Sequence, residues 1–312
     1  MSASNPKNSI QAISSPFNPD NASGYRLWRE QKLHAYPESA EELIIPVADL
    51  SNPTPAEYLA LCQRCQKANM VIYRLPESQR VQKAELRQFG ERFGLKHLDG
   101  NLCSDDDNIS ALQVVEAGRH SEYIPYSNKR LSWHTDGYYN RPDQQIQSVV
   151  LHCVSPAAEG GENMILDHEL AYIHLRDTNP DYISALMHPQ AMTIPANIEA
   201  GQEIRAEQTG PVFSIDDKLG NLHMRYSARK RNIVWRDDPL TQQAVACLEE
   251  LLQSESPYIF RYRLQAGEGF LSNNVLHNRT GFTDNVAQQR LLYRARYFDR
   301  IADTNVELNQ KL

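Results

Sequence analysis

Apolar positions along the 312-residue chain follow two periods, and the change between them divides the sequence. Up to residue 94, short apolar runs alternate with helical stripes. LIIPVADL (43–50) reads as a strand. Tyr58, Leu61, Cys62 and Cys65 then recur at i, i+3, i+4 and i+7, the spacing of one helix face. Ahead of them, Thr54 can cap, Pro55 suits the first helical position, and Glu57 can reach back to close a capping box. MVIYRL (70–75) is the next strand. Ser78 is predicted to cap a second helix whose Leu86, Phe89 and Phe93 face inward, with Gly94 ending it.

From about residue 111 the period shortens to two. IQSVVLHCV, ENMILDH, PVFSID, LHMRYSA, YIFRYRL, GFLSNNVLH and RLLYRARYF are short β-rich runs separated by Gly, Pro, Asn and Asp turns, as in a sandwich or barrel. Two helices interrupt them. One starts at Thr178-Asn179-Pro180-Asp181. The other starts at Asp238-Pro239, with Leu240, Ala244, Leu248 and Leu251 on one face. The pattern predicts an α+β, mainly β chain: one β core with helices packed outside it. Residues 1–22, rich in Ser, Asn and Pro, read as a flexible N-terminal arm ahead of a single domain over 23–312.

Composition narrows the function classes. Hydrophobic residues are 41% and charged residues 23%, as in folded globular proteins, and 32 basic against 39 acidic residues give a net charge of −7. That balance argues against a nucleic-acid partner. No apolar run approaches the roughly 18 residues of a membrane span, and the first twenty residues contain no apolar core of a secretory signal. Five cysteines (62, 65, 103, 153 and 247) form an odd, sparse set that fits a reduced, cytoplasmic protein. Cys62 and Cys65 lack the further ligands a zinc site needs and fall on a helical stripe, which assigns them to core packing. Asp105-Asp106-Asp107 reads as a solvated acidic loop, and His152 and His168 as structural.

The chemistry is concentrated in a few short motifs. In Trp133-His134-Thr135-Asp136-Gly137, an extended backbone puts the imidazole and the carboxylate on one face. That is two-thirds of a 2-His-1-carboxylate site for non-haem Fe(II). Asn273-Asn274-Val275-Leu276-His277 supplies a second histidine far downstream, and Arg290 and Arg294 follow in RLLYR.

With W-H-T-D-G, LHCVSPAAEGGENMILD, VLHNRTGFTD and RLLYR in this order, the sequence resembles the TauD/TfdA family of Fe(II)- and 2-oxoglutarate-dependent dioxygenases, including its γ-butyrobetaine hydroxylase-like branch. The resemblance spans roughly 43–300, with its sharp motifs between 131 and 297. It implies a double-stranded β-helix (jelly-roll, cupin-like) core with flanking helices. His134, Asp136 and His277 would be the metal ligands. Arg290 would hold the distal carboxylate of 2-oxoglutarate, since a guanidinium binds carboxylate through two parallel bonds and stays charged. Arg294, four residues on, would face the same side and serve substrate or structure. Two departures stand out. Asn163 follows G-G-E where the family often has Thr, so an amide would make the cosubstrate contact. Asn278 follows the distal histidine where the family often has Gly.

Tyr138 and Tyr139 are candidates to line the substrate pocket, and Arg225 is a candidate partner for a substrate carboxylate. The implied reaction consumes O2 and 2-oxoglutarate, releases succinate and CO2, and hydroxylates a small polar organic substrate. Retention of Asp136 argues against a halogenase. The rivals are a metalloenzyme of the same fold that does not use 2-oxoglutarate, and a metal-binding jelly-roll without turnover. The expected partner is a small molecule, with no nucleic acid and no membrane; homo-oligomerisation is left open.

Overall fold

Ten strands form two sheets that share one core. The computed structural model describes residues 14–77, 79–100, 107–115, 124–199, 201–229, 231 and 233–306. The strands are β1 (Ile44–Pro46), β2 (Met70–Arg74), β3 (Ser110–Leu112), β4 (Leu131–His134), β5 (Ser148–Ser155), β6 (Asn163–Leu166), β7 (Phe260–Tyr262), β8 (Glu268–Ser272), β9 (Leu276–Arg279) and β10 (Leu291–Tyr297). The wide sheet runs β1-β2-β8-β5-β10-β3, and the narrow one β7-β6-β9-β4. Only β1 and β2 pair in parallel; the other ladders of these two sheets are antiparallel. The strand-rich second half is therefore as its period-2 pattern predicts.

Alternation sorts the wide sheet into two apolar layers. Met70, Ile72, Cys153, Phe270 and Leu292 point into the core shared with Trp133, Ile165 and Leu276 of the narrow sheet. Val71, Tyr73, Val150, Leu271, Ala295 and Tyr297 point the other way, onto helices α2 (Pro55–Ala68) and α3 (Lys83–Arg92). Helix α2 starts as expected, with Thr54 and Glu57 forming the capping box. Its Cys62 and Cys65 are free thiols buried in this outer layer, which is the packing role their stripe predicts. Helix α3 is capped by Gln82, four residues after the expected cap; Ser78 lies outside the described residues. Asp105 and Asp106 also lie outside them, while Asp107 holds Lys83 at 3.3 Å.

Two features depart from the sequence reading. ENMILDH is not all strand. The strand stops at Leu166, and Asp167 caps helix α4 (His168–Thr178), which meets α5 (Pro180–Leu186) at Asn179. Eight of the eleven α4 residues are buried, so the helix shows no polar face by which period could reveal it. Helix α6 (Pro239–Gln253) starts at Asp238 as predicted.

The second departure is the N-terminal arm. Residues 1–13 lie outside the described residues, but the stretch after them is docked rather than flexible. Phe17 is fully buried, with its ring 4.7 Å from Trp28 and 5.5 Å from Tyr172. The Arg176 guanidinium donates to the carbonyls of Pro16, Asn18 and Pro19 at 3.1, 3.3 and 2.9 Å, and Tyr172 Oη donates to that of Phe17 at 2.8 Å. One aromatic anchor and a cation that satisfies consecutive carbonyls outweigh the polar composition. Helix α1 (Ala22–Leu33) follows, and its buried Lys32 pairs with Asp167 and Glu169 at 2.7 and 2.5 Å, tying α1 to the start of α4. No helix among the described residues is long and apolar enough to cross a membrane.

If the arm belongs to the core, Phe17→Ala removes a fully buried ring and should cost about 3–5 kcal/mol of unfolding free energy. Urea denaturation measures this. An unchanged midpoint and slope would show that residues 14–22 contribute nothing to the folded state.

Candidate metal centre and the adjoining pocket

Strand pairing brings the two histidines together. In the antiparallel ladder between β4 and β9, His277 lies directly opposite His134, so both rings rise from one face, with centroids 4.3 Å apart. Each ring is fixed from behind. His134 Nδ1 lies 2.9 Å from the Ser132 carbonyl, and His277 Nδ1 lies 3.0 Å from that of Val275. A carbonyl can only accept, so Nδ1 carries the proton and the Nε2 lone pair is free, the usual arrangement behind a metal-binding histidine. Burial, then the neighbouring His277, pushes the His134 imidazole down to about 3 against the attraction of Asp136, so it is a neutral ligand at neutral pH.

Asp136 lies beyond the end of β4, where no ladder holds it. Asn274 takes over. Its side-chain oxygen accepts from the Asp136 N–H at 2.8 Å, and its amide donates to the Asp136 carbonyl at 2.9 Å and to that of Ile146 at 2.7 Å. Gly137 then turns the chain at φ +67°, where a Cβ would sit 2.4 Å from Ile146. Burial opposes ionisation of Asp136. Arg294 and Arg296 beside it, then the two histidines, outweigh that and hold the carboxyl well below the usual range. Arg294 Nη1 donates to Oδ1 at 3.2 Å, while the buried Oδ2 has no partner in the protein.

Ligand atoms of His134, Asp136 and His277 lie within 4.8 Å of one another, and no other such group of His, Cys, Asp or Glu occurs among the described residues. Two imidazoles whose Nε2 atoms are left free by their Nδ1 bonds, an ionised carboxylate and an orphaned buried oxygen fit a divalent first-row metal with open positions.

Arg290 and Asn163 meet at a small cavity lined also by Gly160, Gly161, Arg263 and Leu292. Asn163 sits on β6 two residues from Ile165, which faces His277, so it shares the face of the metal centre. Arg290 is buried beside Phe282, its Nη1 has no partner, and burial lowers its guanidinium to about 10. Gly161, at φ +74°, leaves the space beside Arg290 open; a Cβ there would stand 3.8 Å from Nε. A larger cavity of about 320 Å³, between α1, α4 and α6, contains none of the candidate residues.

The remaining candidates divide. Tyr138 stands edge-on to the His134 ring at 6.4 Å and to Tyr139 at 5.2 Å, so both tyrosines border the centre. Arg225 does not present a free cation. Its Nε donates to the Tyr138 carbonyl at 2.7 Å, Nη2 to that of Gln208 at 2.8 Å, and both Nη atoms approach that of Met192 at 3.3 and 3.4 Å. Arg225 thus fastens three main-chain segments, and at most one of its five N–H donors is left for the expected substrate contact. His152 bonds Tyr73 Oη at 3.1 Å and His168 approaches the Leu222 carbonyl at 3.3 Å; burial holds both near 4, consistent with structural roles. The sequence reading missed Asn274, Asp99 and Arg296. Asn274 was within reach, three residues before His277. The Asp99–Arg296 pair spans 197 residues and leaves no local signal.

Known proteins place the chain in a family. The family model described as "Taurine catabolism dioxygenase TauD, TfdA family" matches residues 72–296. A uridine-5'-phosphate dioxygenase from Amycolatopsis sp is 29% identical over 170 residues, 53% of this chain; the match covers 60% of that relative's length. An asparagine oxygenase in complex with Fe(II), 2S,3S-3-hydroxyasparagine and succinate superposes with a TM-score of 0.55 at 16% identity, over 92% of this chain and 86% of that one. The non-heme iron oxygenase OrfP, in complex with Fe, succinate and (3R,4R)-dihydroxy-L-Arg, gives 0.59 at 14% identity, over 80% and 82%. These structures establish a shared jelly-roll fold. With the family model covering most of the chain, from the second strand to the last, this protein belongs to the TauD/TfdA family of Fe(II)- and 2-oxoglutarate-dependent dioxygenases.

Proposed function

We propose that the protein is an Fe(II)- and 2-oxoglutarate-dependent dioxygenase that hydroxylates a small polar substrate carrying an anionic group. The observation that carries this reading is the pairing of a complete 2-His-1-carboxylate cluster with a buried, unpartnered Arg290 in the small cavity it shares with Asn163. When bound, iron and 2-oxoglutarate supply the oxidising chemistry: O2 and the cosubstrate give succinate and CO2, and a substrate C–H becomes C–OH.

The chain's own residues do the rest. His134 and His277 offer Nε2 because their Nδ1 protons are committed to backbone carbonyls. Arg290 meets the distal carboxylate of 2-oxoglutarate, which fills the donors left unpaired in a dry site. Asn163, on the same cavity, donates an amide N–H to the cosubstrate. Gly160 and Gly161 admit it by leaving the wall without side chains. Tyr138 and Tyr139 form an aromatic wall that excludes water beside the centre.

Arg294 is the substrate anchor in this reading. Its carboxylate contact is Asp136, whose electrons a metal would share, and its Nε is buried without a partner. An anionic substrate group would complete it. The named substrate of the curated relative is a phosphate monoester, and the bound products in the two oxygenase structures are amino acids, each of which carries such a group. A 2-oxoglutarate-independent enzyme or a binding protein without turnover would leave Arg290 unexplained; stoichiometric succinate release in a screen of anionic substrates separates these readings.

Two outcomes are expected. His134→Ala and His277→Ala should each abolish stoichiometric Fe(II) binding, measured by anaerobic titration, while thermal melting of the metal-free protein shows the fold retained. Full iron binding by both variants would sink the assignment. Arg290→Ala should then weaken 2-oxoglutarate binding to the Fe(II) protein. Losing one member of a buried ion pair costs about 3–5 kcal/mol, roughly a hundred- to several-thousand-fold in affinity. Arg290→Lys should restore it only in part, because an ammonium lacks the planar fork. Arg294→Ala should change this titration much less. A larger effect from Arg294→Ala than from Arg290→Ala would exchange the two roles.

A further inference from the structure

Arg296 takes no part in the assignment above, although its surroundings tie it to the centre. It lies on the inner face of β10, two residues beyond Arg294, and is 3% exposed. Its guanidinium meets three groups. Nη2 forms a close ion pair with Asp99, Nη1 donates to Tyr139 Oη at 2.9 Å, and the same Nη1 stands 3.8 Å from Asp136 Oδ1. Asp99 is also buried, and its N–H donates to the Arg296 carbonyl at 2.8 Å, so the two residues are joined through the main chain as well. A guanidinium buried this deeply needs a counter-charge. Asp99 supplies it and leaves Nη1 fixed between a tyrosine beside the pocket and the candidate metal carboxylate.

We propose that Arg296, anchored by Asp99, is a positioning residue for the Asp136 carboxylate. The inference rests on the metal reading of His134, Asp136 and His277. Asn274 fixes the backbone of Asp136 but not the rotation of its side chain. Arg294 restrains that rotation in the structure, yet Arg294 is also the residue assigned to the substrate. Once Arg294 turns to a substrate anion, Arg296 is the cation that still faces Oδ1. It can hold that place because its own charge is balanced by Asp99 and no bound anion is needed to keep it there. The two arginines thus divide two tasks, orientation of the carboxylate and recognition of the substrate. Tyr139 shares Nη1 with Asp136, so a ligand that moves this ring also alters the hold on the carboxylate.

The test is an anaerobic Fe(II) titration of the full-length protein, wild type against Arg296→Gln, Arg296→Lys and Asp99→Asn. The absorption band of the Fe(II)–2-oxoglutarate complex is recorded at saturation. Arg296→Gln should weaken iron binding about 10–100-fold, the usual cost of removing a partner behind a metal ligand, and should shift the band, which a purely structural role would not. Arg296→Lys should recover part of the affinity, and Asp99→Asn should weaken binding in the same direction because the guanidinium loses its anchor. Wild-type affinity with an unmoved band in Arg296→Gln would overturn the proposal. If that variant does not fold, Arg296→Lys and Asp99→Asn decide, and wild-type behaviour in both overturns it. A wild-type protein that binds no Fe(II) would overturn the metal reading itself and this proposal with it, a result distinguishable from failure in the variants alone.

Discussion

The geometry of the centre depends on how Asp136 is held, because it is the one candidate ligand outside a strand ladder. His134 and His277 are placed by the β4–β9 register, and a one-residue slip of either strand would put the two rings on opposite faces. Asp136 has no such register. The Asn274 amide replaces it, accepting from one main-chain group of Asp136 and donating to another. Asn274 is buried at φ +51°, a conformation asparagine tolerates better than most residues, at the turn between β8 and β9. The turn that delivers His277 therefore also delivers the clamp for Asp136, so all three candidate ligands are referred to β9 and the turn before it.

Around this point the protein concentrates positive charge on the inner face of β10. Buried cations are costly unless matched, and each arginine is matched differently. Arg296 has Asp99 and Tyr139, Arg294 has Asp136, and Arg290 has no hydrogen-bond partner for Nη1. Each of the three leaves one guanidinium nitrogen without a partner, so what separates them is counter-charge: Arg296 and Arg294 have carboxylates, and no ion pair to Arg290 is found among the described residues. An unsatisfied buried donor is destabilising in the ligand-free fold. In the proposed role of Arg290, a dicarboxylate would fill the site during function, and cosubstrate binding would then be a source of stability as well as chemistry.

What the sequence revealed follows from the range of each interaction. The His134–Asp136 pair, helix α2 and the cysteine stripe are legible because their signals are local: a spacing of two, a capping box, a 3.6-residue period. Helix α4 is hidden because burial on most sides erases its period. The docking of residues 14–22 turns on a single ring, Phe17, and on Arg176 some 160 residues away, neither of which composition can register. Arg225 shows the opposite limit. A cation near a motif invites a ligand, yet only the fold shows that three carbonyl groups already take most of its donors.

That same arginine explains how a shared fold can support different pockets. Solved structures at 14–16% identity share the jelly-roll, so the sheets depend on few residue identities. The wall beside the centre is built otherwise. Arg225 joins the carbonyl of Tyr138, directly after the metal motif, to those of Met192 and Gln208 at either end of the 192–210 hairpins. Arg205, from these hairpins, lies 5.9 Å from the Tyr139 ring, the same distance as Arg296 from below. Tyr139 thus neighbours two cations, Arg296 of the core strand β10 and Arg205. Under the proposed roles, changes in residues 192–199 and 201–210 would reach the pocket through that ring without disturbing the β4–β9 register, which would separate substrate selection from metal binding.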